Sequence, residues 1–539
     1  MFKHIIDKLN LWYLFVAVAV GAGVLFRYYH LGASGIFFYD EALYLNQSLP
    51  GLEFIRHHHL SGLSDIGKAL QFYLRFPLNF TKPIWILIVD SRYLVTRWDD
   101  WDYAKYAACF FGVLTLPLTF AFARRFFNSV AIACLSTAIL ALLPAHVFYS
   151  RLGYQETFSA FMALAGFYCY IFPRSFGTRT FLAGIFLSMA YLANYRLVIL
   201  PGYLLLIELW LGAVQGEGLR WRHFLWAGMT FLIILVGVGG LMEGAQMRYT
   251  FAWIFHQQDM AATKRLWSEF LSYPYYLFRL ENWILAISFF ASIYFLVRRN
   301  WKPALPFVIV VVQMLIFSSA SDRAARYIAV VLPFVAMASA ASIHELYQRV
   351  TYARKDVILG VIFAVMFAGF ILKIVPLVMA SSDYSPAVDY LQDRDRNVKF
   401  LSTQDIVQKL YLDDRRHVAA APEDFRLLFP YYAKGFRYLV LDPQAYIGYT
   451  GNDHKWGLPL KDYLGFVDQH LTPMKVFPHF NKAIMERVVF EHSDDLFQSI
   501  RFMDSPDLGR MSTLRIYDMD VVMPFMTRVT QRVKPVRAF

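Results

Sequence analysis

The feature that most limits what this chain can become is the recurrence of long apolar runs. The first, LWYLFVAVAVGAGVLF over 11–26, contains no charged residue. About 17–25 apolar residues wound as a helix match the thickness of a bilayer's hydrocarbon core. Comparable runs lie near 104–123, 129–148, 157–173, 180–193, 197–213, 225–242, 281–297, 303–318, 327–343 and 357–380, so the first span reads as 11–29. The pattern predicts a polytopic α-helical membrane protein with about eleven spans. Composition agrees: 58% of residues are hydrophobic and only 17% charged. The net charge of +12 forms no single basic stripe, which argues against a nucleic-acid partner.

The basic residues fall mostly in short turns between runs, as cytoplasmic loops require. With Lys3 and Lys8 inside, alternate turns are basic: Arg124–Arg125, Arg174 and Arg179, Arg220 and Arg222, Arg298–Arg299 with Lys302, and Arg349 with Arg354 and Lys355. That parity requires two spans within 180–213, broken by Asn194-Tyr195-Arg196 and Pro201. The expectation is a cytoplasmic N-terminus and an extracytoplasmic C-terminus. The opening run is longer than a signal-peptide core and has no A-x-A site after it, so it reads as a retained span. The three cysteines, Cys109, Cys134 and Cys169, all sit in apolar runs and offer neither a loop disulfide nor zinc spacing.

Two domains are expected: 1–380, with outer loops at 30–103 and 243–280, and 381–539. The tail alternates helix-like and strand-like pieces such as NVKFLST, HVAAA and FRYLVLD, predicting a small α/β domain with a partly parallel sheet. Neither G-x-G-x-x-G nor a P-loop occurs, so no nucleotide site is expected.

Asp40 and Glu41, in FFYDEALYL, stand just past the first span among aromatic residues. Asp40 could simply cap a helix beginning at Glu41. Acids at the edge of the hydrocarbon also suit a chemical task. A carboxylate there can take the proton of an acceptor hydroxyl, while nearby cations stabilise a departing lipid phosphate. The donor's tail stays in the bilayer and the acceptor arrives from water.

Three stretches resemble the GT-C superfamily of polyprenyl-phosphate-sugar glycosyltransferases. They are most similar to glycosyltransferase family 39, the protein-mannosyltransferase and aminoarabinose-transferase group. The stretches are YDEALY, the helix pair with a basic turn over 106–168 that ends in SRLGYQE and a fourth span, and SDRAARYIAVVLP near 321–333. The resemblance covers roughly 10–380. It implies a GT-C fold and an inverting transferase that moves a hexose or pentose from a polyprenyl-phosphate donor to a lipid, glycan or protein acceptor on the outer face. By the same resemblance Asp40 is the base, Glu41 its companion and Glu156 the second acid. Arg326 and Tyr327 match the late outer motif and would face the donor phosphate; Arg323 is a candidate on other grounds, because two cations in one turn suit a phosphate anion. Relatives often carry Lys-Tyr where this chain has Asn194-Tyr195-Arg196, so that cation is either supplied by Arg196 or absent.

Arg151, Arg196 and Lys82 are further donor-phosphate candidates, and each would serve equally as an interfacial anchor. Arg75, His256 and Asp259 are weaker outer-loop candidates. His57, His58 and His59 invite a metal reading; consecutive helix residues point in different directions, so all three cannot ligate one ion, which leaves a metal held by one of them with Glu41, Glu53 or Glu156. The residues single out no cofactor; the resemblance admits a divalent cation, since some relatives use one and others do not. A rival reading is a transporter or lipid flippase using the same acids. Transport sites sit near the bilayer midplane on broken helices of repeated halves, whereas these acids sit at one surface and no repeat is evident. The expected location is the bacterial cytoplasmic (inner) membrane. The tail is expected to recognise the acceptor or to cover the site.

Overall fold

The computed structural model describes residues 2–57, 82–92, 100–172, 177–215, 220–241, 250, 267–319, 324–351, 355–422, 424–442, 458–492, 496–505 and 508–532. The chain divides into two units, Met1–Leu31 with Gln47–Val378, and Gly32–Asn46 with Met379–Phe539.

The first unit is helical. Among the described residues each apolar run read from the sequence lies mainly on helix, from Phe2–Tyr28 through Tyr103–Phe127 and Trp301–Ser318 to Lys355–Val378. Among the described residues six helices are long and apolar enough to cross a membrane, or seven if one bent pair is a single span. Three shorter apolar helices cover Thr178–Ala193, Trp221–Gly237 and Trp283–Val297. Local chemistry sets the ends. Tyr103–Phe127 closes on Arg124 and Arg125, then on Asn128 in the left-handed conformation (φ 54°). Ser129 caps the next helix by accepting the Ile132 amide. At 194–201 the chain breaks into a 3-10 turn, Tyr195–Ile199, whose first residues are held by Asn194 Oδ1 accepting the Arg196 N–H at 3.3 Å.

Hydropathy alone makes 129–148 a single span. The structure instead bends by 52° between Val130–Ala141 and Pro144–Arg151. Pro144 supplies no N–H, so backbone groups at the bend need other partners. Arg27, fully buried, donates Nη1 to the Ala141 carbonyl at 2.8 Å and Nη2 to His146 Nδ1 at 2.5 Å. Buried Glu281 accepts the Ala145 N–H at 2.7 Å, placing a carboxylate on the amide end of the second segment. Gly23 lets the first helix approach, because a Cβ there would stand 2.5 Å from the Ala141 oxygen. Arg27→Met should therefore cost about 2–3 kcal/mol by leaving a carbonyl and an imidazole without their donor. A lowered thermal midpoint in detergent, partly restored by Arg27→Lys, is the expected readout; an unchanged midpoint would show that the bend holds without Arg27.

The second unit contains a five-stranded sheet: β1 (Lys399–Ser402), β2 (Val418–Ala420), β3 (Phe436–Leu441), β4 (Lys475–Phe477) and β5 (Leu514–Asp518), in the order β2-β1-β3-β5-β4. β1 runs parallel to β2 and β3, and β5 runs antiparallel to β3 and β4. Its core packs Leu401, Leu439 and Leu441 of the sheet against Tyr463, Leu464 and Val467 of helix Leu458–His470 and Val522 and Met526 of helix Met519–Arg532. The segment Gly32–Asn46, with the first two turns of helix Tyr39–His57, belongs to this unit.

Candidate active site

The helix that carries the acidic pair starts at Tyr39, two residues earlier than the sequence suggests. The shift gives the two acids different work. Glu41, buried, turns back so that Oε2 accepts the amides of Phe37 at 2.9 Å and Phe38 at 3.1 Å. This is half of a capping box, in which an acid in the first turn satisfies amides ahead of the helix. Glu41 rather than Asp40 therefore caps the helix. Asp40 is half-buried, beside half-exposed Tyr39. The Tyr39 hydroxyl is pushed above its ordinary range, first by burial and then by the charges of Asp405 and Asp40.

The remaining described candidates lie in the helical unit, where several converge. Glu156 opens helix Glu156–Ile171 and is buried, with Gln155 Nε2 donating to its Oε1 at 3.1 Å. Two residues earlier, the Tyr154 ring lies 5.4 Å from the guanidinium carbon of Arg326. Arg326 and Tyr327 occupy a 3-10 turn, Ala325–Val331, ahead of Leu332–Arg349. The Arg196 guanidinium sits 4.5 Å from the centre of the Tyr327 ring, and that of Arg326 lies 5.9 Å from it. Two cations thus share one aromatic ring beside the Glu156 turn, on three different helical segments.

Tyr327 is fixed by residues that the sequence reading missed. Gln313 Nε2 donates to the Tyr327 carbonyl at 2.8 Å, and the Tyr203 hydroxyl donates to Gln313 Oε1. Phe317 packs on the same ring with centroids 5.0 Å apart. The available signal was a lone amide inside the apolar run 303–318, since polar side chains in spans usually have a task.

Arg151 is engaged differently. Its Nη1 donates to the carbonyls of Phe26 (2.9 Å), Arg27 (3.1 Å) and Tyr29 (2.7 Å), and Nη2 to that of Val378 (3.1 Å). These are carbonyls at the ends of two helices, Phe2–Tyr28 and Lys355–Val378, a usual position for an arginine. Lys82 is buried and precedes Pro83–Asp90, whose Trp85 donates to the Gly153 carbonyl at 3.1 Å and packs on Phe158. That helix is thereby fastened to the turn that leads into Glu156. Arg323, Arg75, His58, His59, His256 and Asp259 lie outside the described residues, as does the His57 side chain. Among the described residues no group of three or more His, Cys, Asp or Glu could hold a metal ion.

The architecture is shared with solved structures despite low sequence identity. ArnT from Cupriavidus metallidurans bound to undecaprenyl phosphate superposes with a TM-score of 0.56 at 14% identity, covering 81% of this chain and 94% of that one. The Archaeoglobus fulgidus oligosaccharyltransferase in its apo form gives a TM-score of 0.55 at 11% identity, covering 84% and 72%. The archaeal oligosaccharyltransferase AglB from the same organism, in complex with an inhibitory peptide and a dolichol-phosphate, gives 0.52 at 10% identity, covering 81% and 70%. The fold of this chain is theirs. No family model matches the chain, and no curated protein matches its sequence.

Proposed function

We propose that the protein is a membrane-integral, inverting glycosyltransferase that moves a sugar from a polyprenyl-phosphate donor to a hydroxyl acceptor on the outer face of a bacterial inner membrane. The observation that carries this is the pairing of Arg196 and Arg326 on Tyr327, beside Glu156, in a fold shared with a protein solved bound to undecaprenyl phosphate. In the proposed step the acceptor oxygen attacks the anomeric carbon and its proton passes to Asp40. The bond from that carbon to the phosphate oxygen breaks, and its electron pair leaves with the lipid phosphate. Arg326 and Arg196 offset the charge that develops there. Arg151 is left out of this set because its guanidinium is committed to four carbonyls. Glu156 orients the donor or the Arg326 turn. Lys82 and Arg323 remain candidate contacts to the phosphate. No proposed step passes through a metal, so turnover should survive chelator treatment, and its loss on chelation would show that a cation takes part.

The test is to extract the lipid that accompanies the purified protein and weigh it by mass spectrometry. A polyprenyl phosphate, or its sugar conjugate, is the expected species. Recovery of bulk phospholipid alone, together with no binding of added undecaprenyl phosphate, would overturn the reading.

A further inference from the structure

The segment that carries Asp40 is built into the sheet-bearing unit through a series of specific contacts. The Ile36 N–H donates to the Tyr411 hydroxyl at 3.3 Å, and the Ser382 N–H donates to the Ser34 carbonyl at 2.9 Å. Asn46 is a bridge. Its Nδ2 donates to the Ala42 carbonyl at 2.8 Å and to the Ile406 carbonyl at 3.1 Å, while its Oδ1 accepts from Arg415 at 3.1 Å. Gly35 has φ +67°, a backbone state glycine adopts freely, and a Cβ there would lie 2.4 Å from Ser382 Oγ. Between these ties Phe37 and Phe38 are buried and both rings meet Phe480, with centroids 5.9 and 6.4 Å away.

Phe480 is itself anchored to the sheet. His479 lies buried against it, with ring centroids 3.9 Å apart, and accepts the Asp383 N–H on Nδ1 at 3.0 Å. The other His479 nitrogen is 3.2 Å from Asp442, which follows the last residue of β3 and also accepts the Tyr384 hydroxyl. A continuous run of fixed groups therefore leads from the end of β3 through His479 and Phe480 to Phe37 and Phe38. The amides of those two residues hold Glu41, the immediate neighbour of Asp40.

We propose that the sheet-bearing unit acts as a frame that positions the general base, with Asn46, Tyr411 and Phe480 as positioning residues and Gly35 as the point of closest approach. This rests on the assignment of Asp40 above. It gives the C-terminal sheet a role in the chemical step instead of in acceptor capture. Small displacements of a reacting group carry large rate costs, about a hundredfold for about 1 Å, so loosening the frame should act on turnover.

The test uses the full-length protein in detergent, with Asn46→Ala and the near-isosteric Tyr411→Phe alongside Asp40→Asn. Expected for Asn46→Ala is about a tenfold lower kcat, unchanged affinity for undecaprenyl phosphate, an unchanged KM for acceptor, and faster amide exchange confined to 34–46. Tyr411→Phe should shift kcat in the same direction by a smaller factor. A damaged domain would lower acceptor affinity or the thermal midpoint instead, and that outcome counts against positioning. Wild-type kcat in both variants with an inactive Asp40→Asn would overturn the frame and leave the base assignment standing. A fully active Asp40→Asn would overturn the base assignment and the frame with it.

Discussion

Asp40→Asn is expected to lower turnover about a thousandfold while donor binding and thermal midpoint stay near those of the unaltered protein. General base catalysis contributes about 10²–10⁴ in rate, and asparagine keeps the shape of aspartate without its capacity to accept a proton. Glu41 is poorly placed to take over, because its Oε2 already accepts two backbone amides. The paired substitution separates the two acids. Glu41→Gln retains an oxygen for the Phe37 and Phe38 amides, so it should lose only a few-fold in turnover. Steady-state rates with a polyprenyl-phosphate sugar, measured on both variants in parallel, decide the matter. A silent Asp40→Asn beside an inactive Glu41→Gln would exchange their roles.

How far this division was legible in the sequence turns on two residues of helix. The adjacency of the acids past the first span marks them out, yet which acid caps depends on where the helix begins. Propensity places helix starts only to within a few residues, and a start at Tyr39 instead of Glu41 moves the capping duty from one acid to the other. The apolar spans were legible for a simple reason: in hydrocarbon only length and continuous apolarity are needed, and both are written locally. The bend at 141–144 was not. Leu142, Leu143 and Pro144 raise no break in a hydropathy profile, and the partners that make the bend tolerable, Arg27 and Glu281, come from more than a hundred residues away on either side.

The same contrast runs through the second unit. β1, β2 and β3 could be read from short alternating stretches separated by helix signals, and they form the parallel half of the sheet. β4 has three residues, and β5 completes the sheet by antiparallel pairing to β3 and β4. Those pairings are long-range and leave little local trace. Nor does any local pattern in 32–46 announce that it belongs with a sheet-bearing unit more than three hundred residues later. Hydrogen bonds accepted by Tyr411 and donated by Asn46 and Arg415 create that association, and each of these is an unremarkable polar residue when read alone.

The second large effect expected is at the cations. Arg326→Gln should lower kcat about a hundredfold, the usual consequence of removing one donor aimed at developing charge, and Arg196→Gln should act in the same direction. The two substitutions should not be independent, since both guanidinium groups lie on the Tyr327 ring and would share one phosphate. Residues joined through a common partner show coupling energies of about 0.5–3 kcal/mol in double-mutant cycles, so the double variant should lose clearly less than the product of the single losses. Arg326→Lys keeps the charge but gives up the planar fork that matches phosphate oxygens. It should recover part of the rate and less of the affinity for undecaprenyl phosphate. The competing view is that Arg196 only packs against Tyr195 and Tyr327, a contact worth about 0.5–2 kcal/mol. In that case Arg196→Gln and Arg196→Met would be equally mild, the cycle would close additively, and undecaprenyl phosphate would bind Arg196→Gln as tightly as the unaltered protein. Equilibrium binding of that lipid across the four proteins of the cycle separates the alternatives without reference to turnover, because a shared anion must couple the two arginines in affinity as well as in rate.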